Sequence, residues 1–350
     1  MSQVQTVAIP KYSRKDFTSD QTVRWCPGCA DYSILAQVQR VMPSICEEVG
    51  VLRENIVFIS GIGCAARFPY YMDTYGFHTI HGRAPTFASG LRAVRDDLMV
   101  WVVTGDGDAL SIGGNHFIHC LRRNINLKIL LFNNQIYGLT KGQYSPTSEL
   151  GKLTKSSPMG SIEQPINPLV TALAAEATFV ARSIATDSVH MQETLLRAAQ
   201  HKGSAIVEIL QNCPVFNDGC FDSFSERKVR NEKMLELKHG ERMTFGADDE
   251  YGLTVSTEGG GLNIRTVERD QVDEAALLVH DEHSDSGALA SMLARLETPD
   301  YPVPIGVFRS VSQPTYEEML NAQIVEAKGK HGEADLQKLL SSGGETWVVQ

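Results

Sequence analysis

No apolar run in this chain comes near the roughly 20 residues that a membrane-spanning helix requires, and Met1 to Asp20 lack the apolar heart of an export signal. A cytoplasmic, non-membrane protein is the expectation. Nor is there a basic excess. Lys and Arg number 32 against 42 Asp and Glu, a net charge of −10, which argues against nucleic acid or an anionic membrane as main partner. Internal repeats and low-complexity tracts are absent, so the chain is not read as a solenoid or a linker array. A disulfide framework is not expected either. Seven cysteines is an odd number in a chain without an export signal, and such thiols point to metal or redox chemistry. The 350 residues suffice for one large domain, or one domain with an extension.

The most informative stretch is Gly105-Asp106-Gly107-Asp108 with its answering segment Asn133-Asn134-Gln135-Ile136-Tyr137-Gly138. Before the first lies Val100 to Val103, and before the second Lys128 to Phe132, each with the length and β-branching of a buried strand. Leu110, Gly114, Phe117, Ile118 and Leu121 recur between them at helical spacing, so the unit reads as a parallel strand–loop–helix–strand crossover. Loops at the carboxyl ends of parallel strands are where such sheets bind ligands. Asp106 offers a carboxylate oxygen, Asn134 an amide oxygen, and the backbone near Ile136 a carbonyl, a donor set that suits Mg²⁺ shared with phosphates. Gly105 and Gly107 let backbone approach a phosphate at a helix N-terminus. The pair of loops predicts a diphosphate–Mg²⁺ clamp.

Along the chain, residues 1–20 read as a polar arm. Trp25-Cys26-Pro27-Gly28-Cys29 is a tight turn bearing two thiols, followed by a helix with Ile34, Val38, Val41 and Ile45 on one face, which Pro43 is expected to end early. Asn55 to Ser60 is a strand running into Gly61-Ile62-Gly63-Cys64. An aromatic, histidine-rich loop ends in His81-Gly82-Arg83-Ala84, and a helix spans Thr86 to Val94. Tyr137 to Pro165 is too long for a plain connector and reads as a functional loop or lid. Residues 168–177 and 188–201 read as helices; residues 178–184 and 204–210 read as strands, the latter ending at Asn212-Cys213-Pro214. Residues 21–216 thus form an α/β domain with a doubly wound, mostly parallel sheet. Residues 217–350 have fewer apolar runs and read as an extension wrapping the core or a partner chain.

Cys26 and Cys29 form C-x-x-C, while Cys64 and Cys213 each follow a strand. In a doubly wound sheet these loops share an edge with the clamp, and four thiolates there would suit a 4Fe-4S cluster. A zinc site normally shows two C-x-x-C pairs, and only one is present. A thioredoxin-like pair is a further alternative, although Cys26 does not follow a strand. Cys46 and Cys120 lie on predicted helices and read as buried structural thiols; Cys220 competes with Cys213 for the fourth position.

Gly-Asp-Gly followed by 25 residues and Asn-Asn is similar to the thiamine diphosphate motif. Together with Trp-Cys-Pro-Gly-Cys, Gly-Ile-Gly-Cys, His-Gly-Arg-Ala, Asn-Asn-Gln-Ile-Tyr-Gly-Leu-Thr-Lys-Gly-Gln and the late Cys-Pro, the chain resembles the β subunit of 2-oxoacid:ferredoxin oxidoreductases, in the flavour of the 2-oxoglutarate enzyme. The resemblance spans roughly residues 20–225. It implies a thiamine diphosphate-binding fold, with thiamine diphosphate, Mg²⁺ and one 4Fe-4S cluster as cofactors and coenzyme A as co-substrate. By this resemblance Cys26, Cys29, Cys64 and Cys213 would ligate the cluster. Asp106, Asn134 and the Ile136 carbonyl would hold Mg²⁺. Ile62, Gly63, Cys64, Ala65, His81, Gly107, Asp108, Gly138 and Leu139 would contact the thiamine cofactor. Lys141 would sit near the substrate carboxylates, and Arg67 would either bind substrate or pair with an acid. Only one thiamine-type sheet is readable, so an α subunit is expected to supply the pyrimidine-side carboxylate, in a heterodimer or heterotetramer that passes electrons to ferredoxin. Pyruvate and branched-chain keto acids remain alternative substrates, and a non-redox thiamine decarboxylase or carboligase and a zinc-stabilised binding protein are the rival classes.

Overall fold

The computed structural model describes residues 8–347 and Val349; residues 1–7 of the expected arm lie outside the described residues. Eleven strands occur among the described residues, in chain order β1 (Ile56–Ser60), β2 (Tyr75–His78), β3 (Met99–Gly105), β4 (Leu127–Asn133), β5 (Phe179–Ile184), β6 (Ala205–Leu210), β7 (Met234–Leu237), β8 (Thr244–Phe245), β9 (Tyr251–Ser256), β10 (Asn263–Glu268) and β11 (Val303–Ser310). Eight of them form one sheet in the order β2-β1-β3-β4-β6-β5-β11-β7. From β2 through to β5 every neighbour pair is parallel.

Both faces of this sheet are covered, so its central strands are apolar without a break. The period-2 alternation survives as a choice between two cores. Val100, Val102, Ile129 and Leu131 pack with Ala88, Phe117, Leu121 and Leu173, from the helices Ala84–Val94, Gly114–Arg122 and Pro168–Ala174. Trp101, Val103, Leu130 and Phe132 pack with Ile34, Val38, Met191 and Leu195, from the helices Asp31–Val49 and Ser188–Gln200. No helix among the described residues is long and apolar enough to cross a membrane.

Four local expectations change. Pro43 does not end its helix, which runs on to Val49 and stops at Gly50, φ 75°. An interior proline costs about 3 kcal/mol, and each of the buried Ile34, Val38, Val41, Met42 and Ile45 side chains returns about 1.5–3 kcal/mol. The crossover helix is two helices, Asp106–Leu110 and Gly114–Arg122. The break lets Gly113 press against Gly82, where a Cβ on Gly82 would stand 2.4 Å from the Gly113 Cα. The aromatic loop contains an edge strand, β2, whose four residues are all exposed, so no burial pattern betrays it. Residues 217–350 do more than wrap: β11 joins the sheet antiparallel to β5, with an irregular register between Val307 and Arg309, and β7 lies parallel at its far side. Pro304 and Gly306 inside β11 argue against a strand when read from sequence. The rest of this region includes the antiparallel sheet β10-β9-β8 and the helix Tyr316–His331, opened by a Thr315/Glu318 capping box.

Candidate cofactor and cluster site

Because β1, β3, β4 and β6 are parallel, the loops after them meet on one rim. A cavity there is lined by Ile62, Gly63, Cys64 and Ala65 after β1, by His81, by Gly105 to Asp108 after β3, and by Asn134, Ile136, Gly138 and Leu139 after β4. All the residues expected to face the thiamine cofactor and Mg²⁺ therefore share one cavity.

Asp106 opens the helix that follows β3 and is 2% exposed. Ser145 Oγ and Thr147 Oγ1 both donate to its Oδ2, at 2.5 and 2.6 Å. No ion pair reaches it among the described residues. Burial raises its pKa, opposed by the two hydroxyls. A buried carboxylate given two neutral donors and no cation needs its counter-charge from outside the chain. The amide of Asn134 sits across the cavity, its Oδ1 accepting from Ile136 N–H at 3.2 Å. This oxygen-only set suits a hard divalent cation. The sequence marked the loop carrying Ser145 and Thr147 as functional but did not single out these hydroxyls; their clustering in Tyr-Ser-Pro-Thr-Ser was the available signal.

Asp108, expected at the cofactor, serves first as a strut. Its Oδ1 accepts from the backbone N–H of Ile62 at 3.1 Å and of Gly82 at 2.8 Å, and Thr104 Oγ1 donates to Oδ2 at 2.8 Å. His81 Nδ1 lies 3.6 Å from the same carboxylate, its ring half exposed to the cavity. One buried side chain thus ties together the loop after β1 and the His81 loop. Gly61 makes room for it, since a Cβ there would stand 1.8 Å from Asp108 Oδ2. Gly107 similarly admits the ring of Tyr137, whose hydroxyl donates to the Gly107 carbonyl at 3.0 Å.

Tyr137 to Gln143 folds back on itself through Tyr137 N–H to Gln143 O, Gly142 N–H to Tyr137 O and Lys141 N–H to Gly138 O. Lys141 stands exposed at the tip of this turn with φ 72°. It does not line the cavity.

The thiols collect around Gly138. A Cβ on Gly138 would stand 3.4 Å from Cys64 Sγ and 3.8 Å from Cys213 Sγ. Cys29 N–H bonds Cys26 O at 3.1 Å, closing the C-x-x-C turn, and Trp25 Nε1 donates to the Cys64 carbonyl at 2.8 Å, tying that turn to the Cys64 loop. Burial pushes the Cys64 thiol up to about 12, with the charges of Asp31, Cys213 and Cys26 adding to it and Arg67 opposing. Cys29 is raised for the same first reason, burial. Thiols in such surroundings release their protons to a metal and not to solvent. Among the described residues no three cysteine sulfurs fall within 4.8 Å of one another.

Three other expectations resolve on inspection. Cys46 and Cys120 are buried in the core. Cys220 donates to the carbonyls of Asn134 and Gln211 and lines a neighbouring cavity with Arg182 and Glu208. Arg67, expected either to bind substrate or to pair with an acid, does not line the cofactor cavity, and its guanidinium donates to Arg24 O at 3.4 Å.

Fold and site together define a thiamine diphosphate-dependent enzyme domain: residues 61–209 match the family model described as thiamine pyrophosphate enzyme, C-terminal TPP binding domain. The chain is 56% identical over 339 residues to the 2-oxoglutarate oxidoreductase subunit KorB of Mycobacterium tuberculosis, covering 96% of this chain and 88% of that one. It is 42% identical over 207 residues to the 2-oxoacid:ferredoxin oxidoreductase subunit beta of Saccharolobus solfataricus, covering 59% and 67%. A solved structure of 2-oxoglutarate:ferredoxin oxidoreductase from Magnetococcus marinus, with 2-oxoglutarate, coenzyme A and succinyl-CoA bound, superposes with TM-score 0.74 at 35% identity, covering 96% of this chain and 98% of that chain. The chain belongs to the β subunits of the 2-oxoacid:ferredoxin oxidoreductases.

Proposed function

We propose that this chain is the β subunit of a coenzyme A-acylating 2-oxoglutarate:ferredoxin oxidoreductase, interconverting 2-oxoglutarate, coenzyme A and oxidised ferredoxin with succinyl-CoA, CO₂ and reduced ferredoxin. The observation that carries this reading is one rim bearing a buried carboxylate without a counter-ion, with Cys64 and Cys213 beside it at Gly138, in a chain whose relatives include named 2-oxoglutarate oxidoreductase and synthase subunits. Pyruvate, branched-chain and non-redox readings are not favoured by that set.

When bound, thiamine diphosphate supplies the carbon nucleophile for the keto group and the store for its electron pair, and the cluster takes electrons one at a time. Asp106, Asn134 and the Ile136 carbonyl would hold Mg²⁺, and with it the diphosphate. Ser145 and Thr147 keep the Asp106 carboxylate charged and aimed. Gly105 and Gly107 bring backbone close to phosphate oxygens. Asp108 fixes the Gly61–Cys64 and His81 loops at a set separation, which positions the cofactor against the cysteine ring of Cys26, Cys29, Cys64 and Cys213. His81 faces the cavity, where it would contact the cofactor, while Lys141 would attract the distal carboxylate of the substrate. An α subunit completes the pocket with the pyrimidine-side carboxylate.

The test is co-expression with the α subunit, followed by coenzyme A-dependent reduction of ferredoxin with several keto acids. Turnover on 2-oxoglutarate well above that on pyruvate is the expected result. Equal rates on pyruvate would overturn the substrate reading, and full turnover by the isolated chain would overturn the need for a partner.

A further inference from the structure

On the opposite side of the sheet lies a cluster that the reaction does not use. We infer that His239, Glu282 and His283 form a binding site for a divalent transition-metal ion of the zinc class, which pins the β8–β10 region to the main sheet. One ligand atom from each of the three residues lies within 4.8 Å of the others. His283 Nε2 stands 3.4 Å from Glu282 Oε1, close to the spacing of about 3.4 Å that two donors adopt on a tetrahedral zinc with bonds near 2.05 Å. The His239 and His283 rings sit 4.5 Å apart, both half exposed, so a small swing of His239 closes the set.

The decisive observation is Glu282. The residue is 3% exposed, and its Oε2 is buried without a hydrogen-bond partner, although Arg197 occupies Oε1. A buried carboxylate oxygen left unpaired is costly, so this carboxylate keeps coordinating capacity that Arg197 does not use, and a cation shared with the two imidazoles would draw on it. The surroundings match the second shell of metal histidines. His283 Nδ1 is hydrogen-bonded to the Ser310 carbonyl at 2.6 Å, which makes Nδ1 the protonated nitrogen and frees Nε2 for a metal. Asp281 Oδ1 lies 3.6 Å from His239 Nδ1 and orients that ring.

Backbone holds the ligands in register. Gly240 N–H bonds His280 O at 2.8 Å, His280 N–H bonds Glu241 O at 2.9 Å, and Ser310 N–H bonds Glu282 O at 2.6 Å. His239 and His283 therefore bracket the segment that contains β8, β9 and β10, and an ion between them closes it as a long loop, anchored to the end of β11. Ser310 pairs with Phe179, the first residue of β5, so the site lies a strand length, about 20 Å, from the cofactor rim. Two imidazoles and one carboxylate suit zinc and its neighbours and not Mg²⁺, which prefers oxygen alone.

The test uses tag-free holoenzyme with cluster and thiamine diphosphate in place, titrated with Zn²⁺ and with Co²⁺. One equivalent per β chain is expected, with Co²⁺ visible bands of nitrogen–oxygen type, and His239→Ala and His283→Ala should each weaken binding at least tenfold. Both histidines are exposed, so these variants keep the fold. Zinc-edge X-ray absorption of the wild type needs no variant: an imidazole-bearing shell near 2.0 Å supports the site, and a sulfur shell near 2.3 Å overturns it. Equal Zn²⁺ titration of wild type and the His239→Ala/His283→Ala double variant overturns it as well.

Discussion

The buried carboxylates of the cofactor rim and those elsewhere in the molecule are neutralised in different ways. Glu208 is met by Arg182 at 2.7 Å, and Glu317 by Arg92 at 2.9 Å, each partner nearly as buried as the acid. Asp106, equally buried, receives two hydroxyls. The first pattern holds a fold together, because each charge is cancelled within the chain. The second leaves a charge uncancelled until a ligand arrives. The comparison separates the role of Asp106 from that of Glu208 and Glu317, and it predicts that stability and activity respond in opposite ways at the two kinds of position.

The largest expected effect tests that opposition directly. Asp106→Asn should lower turnover by about 10²–10³-fold, the loss typical of a preorganised electrostatic contact. The cofactor-free chain should unfold at the same temperature as wild type or slightly higher, because the substitution removes an unpaired buried charge. A marked fall in melting temperature would break the comparison. Next comes Arg92→Met. It strands Glu317, which also accepts from the Asn126 N–H and so joins the Tyr316–His331 helix to the start of β4. A loss of about 3–5 kcal/mol is expected in denaturant titration, with turnover per folded molecule unchanged.

A smaller effect separates acid lability of the core from that of the site. His201 is pushed down to about 3 by burial, with the Lys128 ammonium adding to it, while its Nε2 shares a hydrogen bond with Thr178 at 2.8 Å. An unfolded histidine titrates near 6.5. Between these values the unfolded chain binds a proton that the folded chain does not, so stability falls as pH drops below about 6.5. At pH 5 the loss is about 2 kcal/mol relative to neutral pH. His201→Gln should flatten that part of the stability–pH curve and leave the pH dependence of Mg²⁺ binding unaltered.

The same contrast explains what could be read in the sequence. The parallel strands β1, β3, β4, β5 and β6 are covered on both faces, so they announce themselves as apolar runs, and the loops they end in carry motifs of fixed spacing. Asp106, Asn134, Cys64 and Cys213 stood out in the sequence for that reason, and Cys26 and Cys29 by their C-x-x-C spacing. Ser145, Thr147 and Thr104 were not, since a hydroxyl acts through what it meets in space and its neighbours in sequence say little. β11 was hidden by Pro304 and Gly306, and by Arg309, whose 3% exposure is invisible until Glu176 is placed beside it. Asp108 matched the motif, yet its work as a strut between two loops appears only when the backbone donors are seen.

The finest test of the comparison lies among those hydroxyls. Thr147 Oγ1 donates to Asp106 Oδ2 and sits 3.1 Å from Asn133 Oδ1, which places it between the metal-facing acid and the end of β4. Thr147→Val keeps the shape and removes both contacts. Ser145 still donates to Asp106, so the carboxylate is weakened and not orphaned. Mg²⁺ affinity should fall about tenfold, at the lower end of the losses seen when a ligand's supporting partner is removed. The deficit should grow as pH falls, because a carboxylate with one donor fewer holds its proton more tightly and the proton competes with the cation. Ser148→Ala supplies the control. Its hydroxyl donates to the Gln135 carbonyl at 2.6 Å and accepts from the Ser145 N–H at 2.8 Å, so it orders the loop without touching a carboxylate. Isothermal titration of both variants with Mg²⁺ and thiamine diphosphate, at pH 6 and pH 8, should show the deficit only for Thr147→Val. An equal loss in Ser148→Ala would mean that loop order, and not the charge on Asp106, governs the clamp.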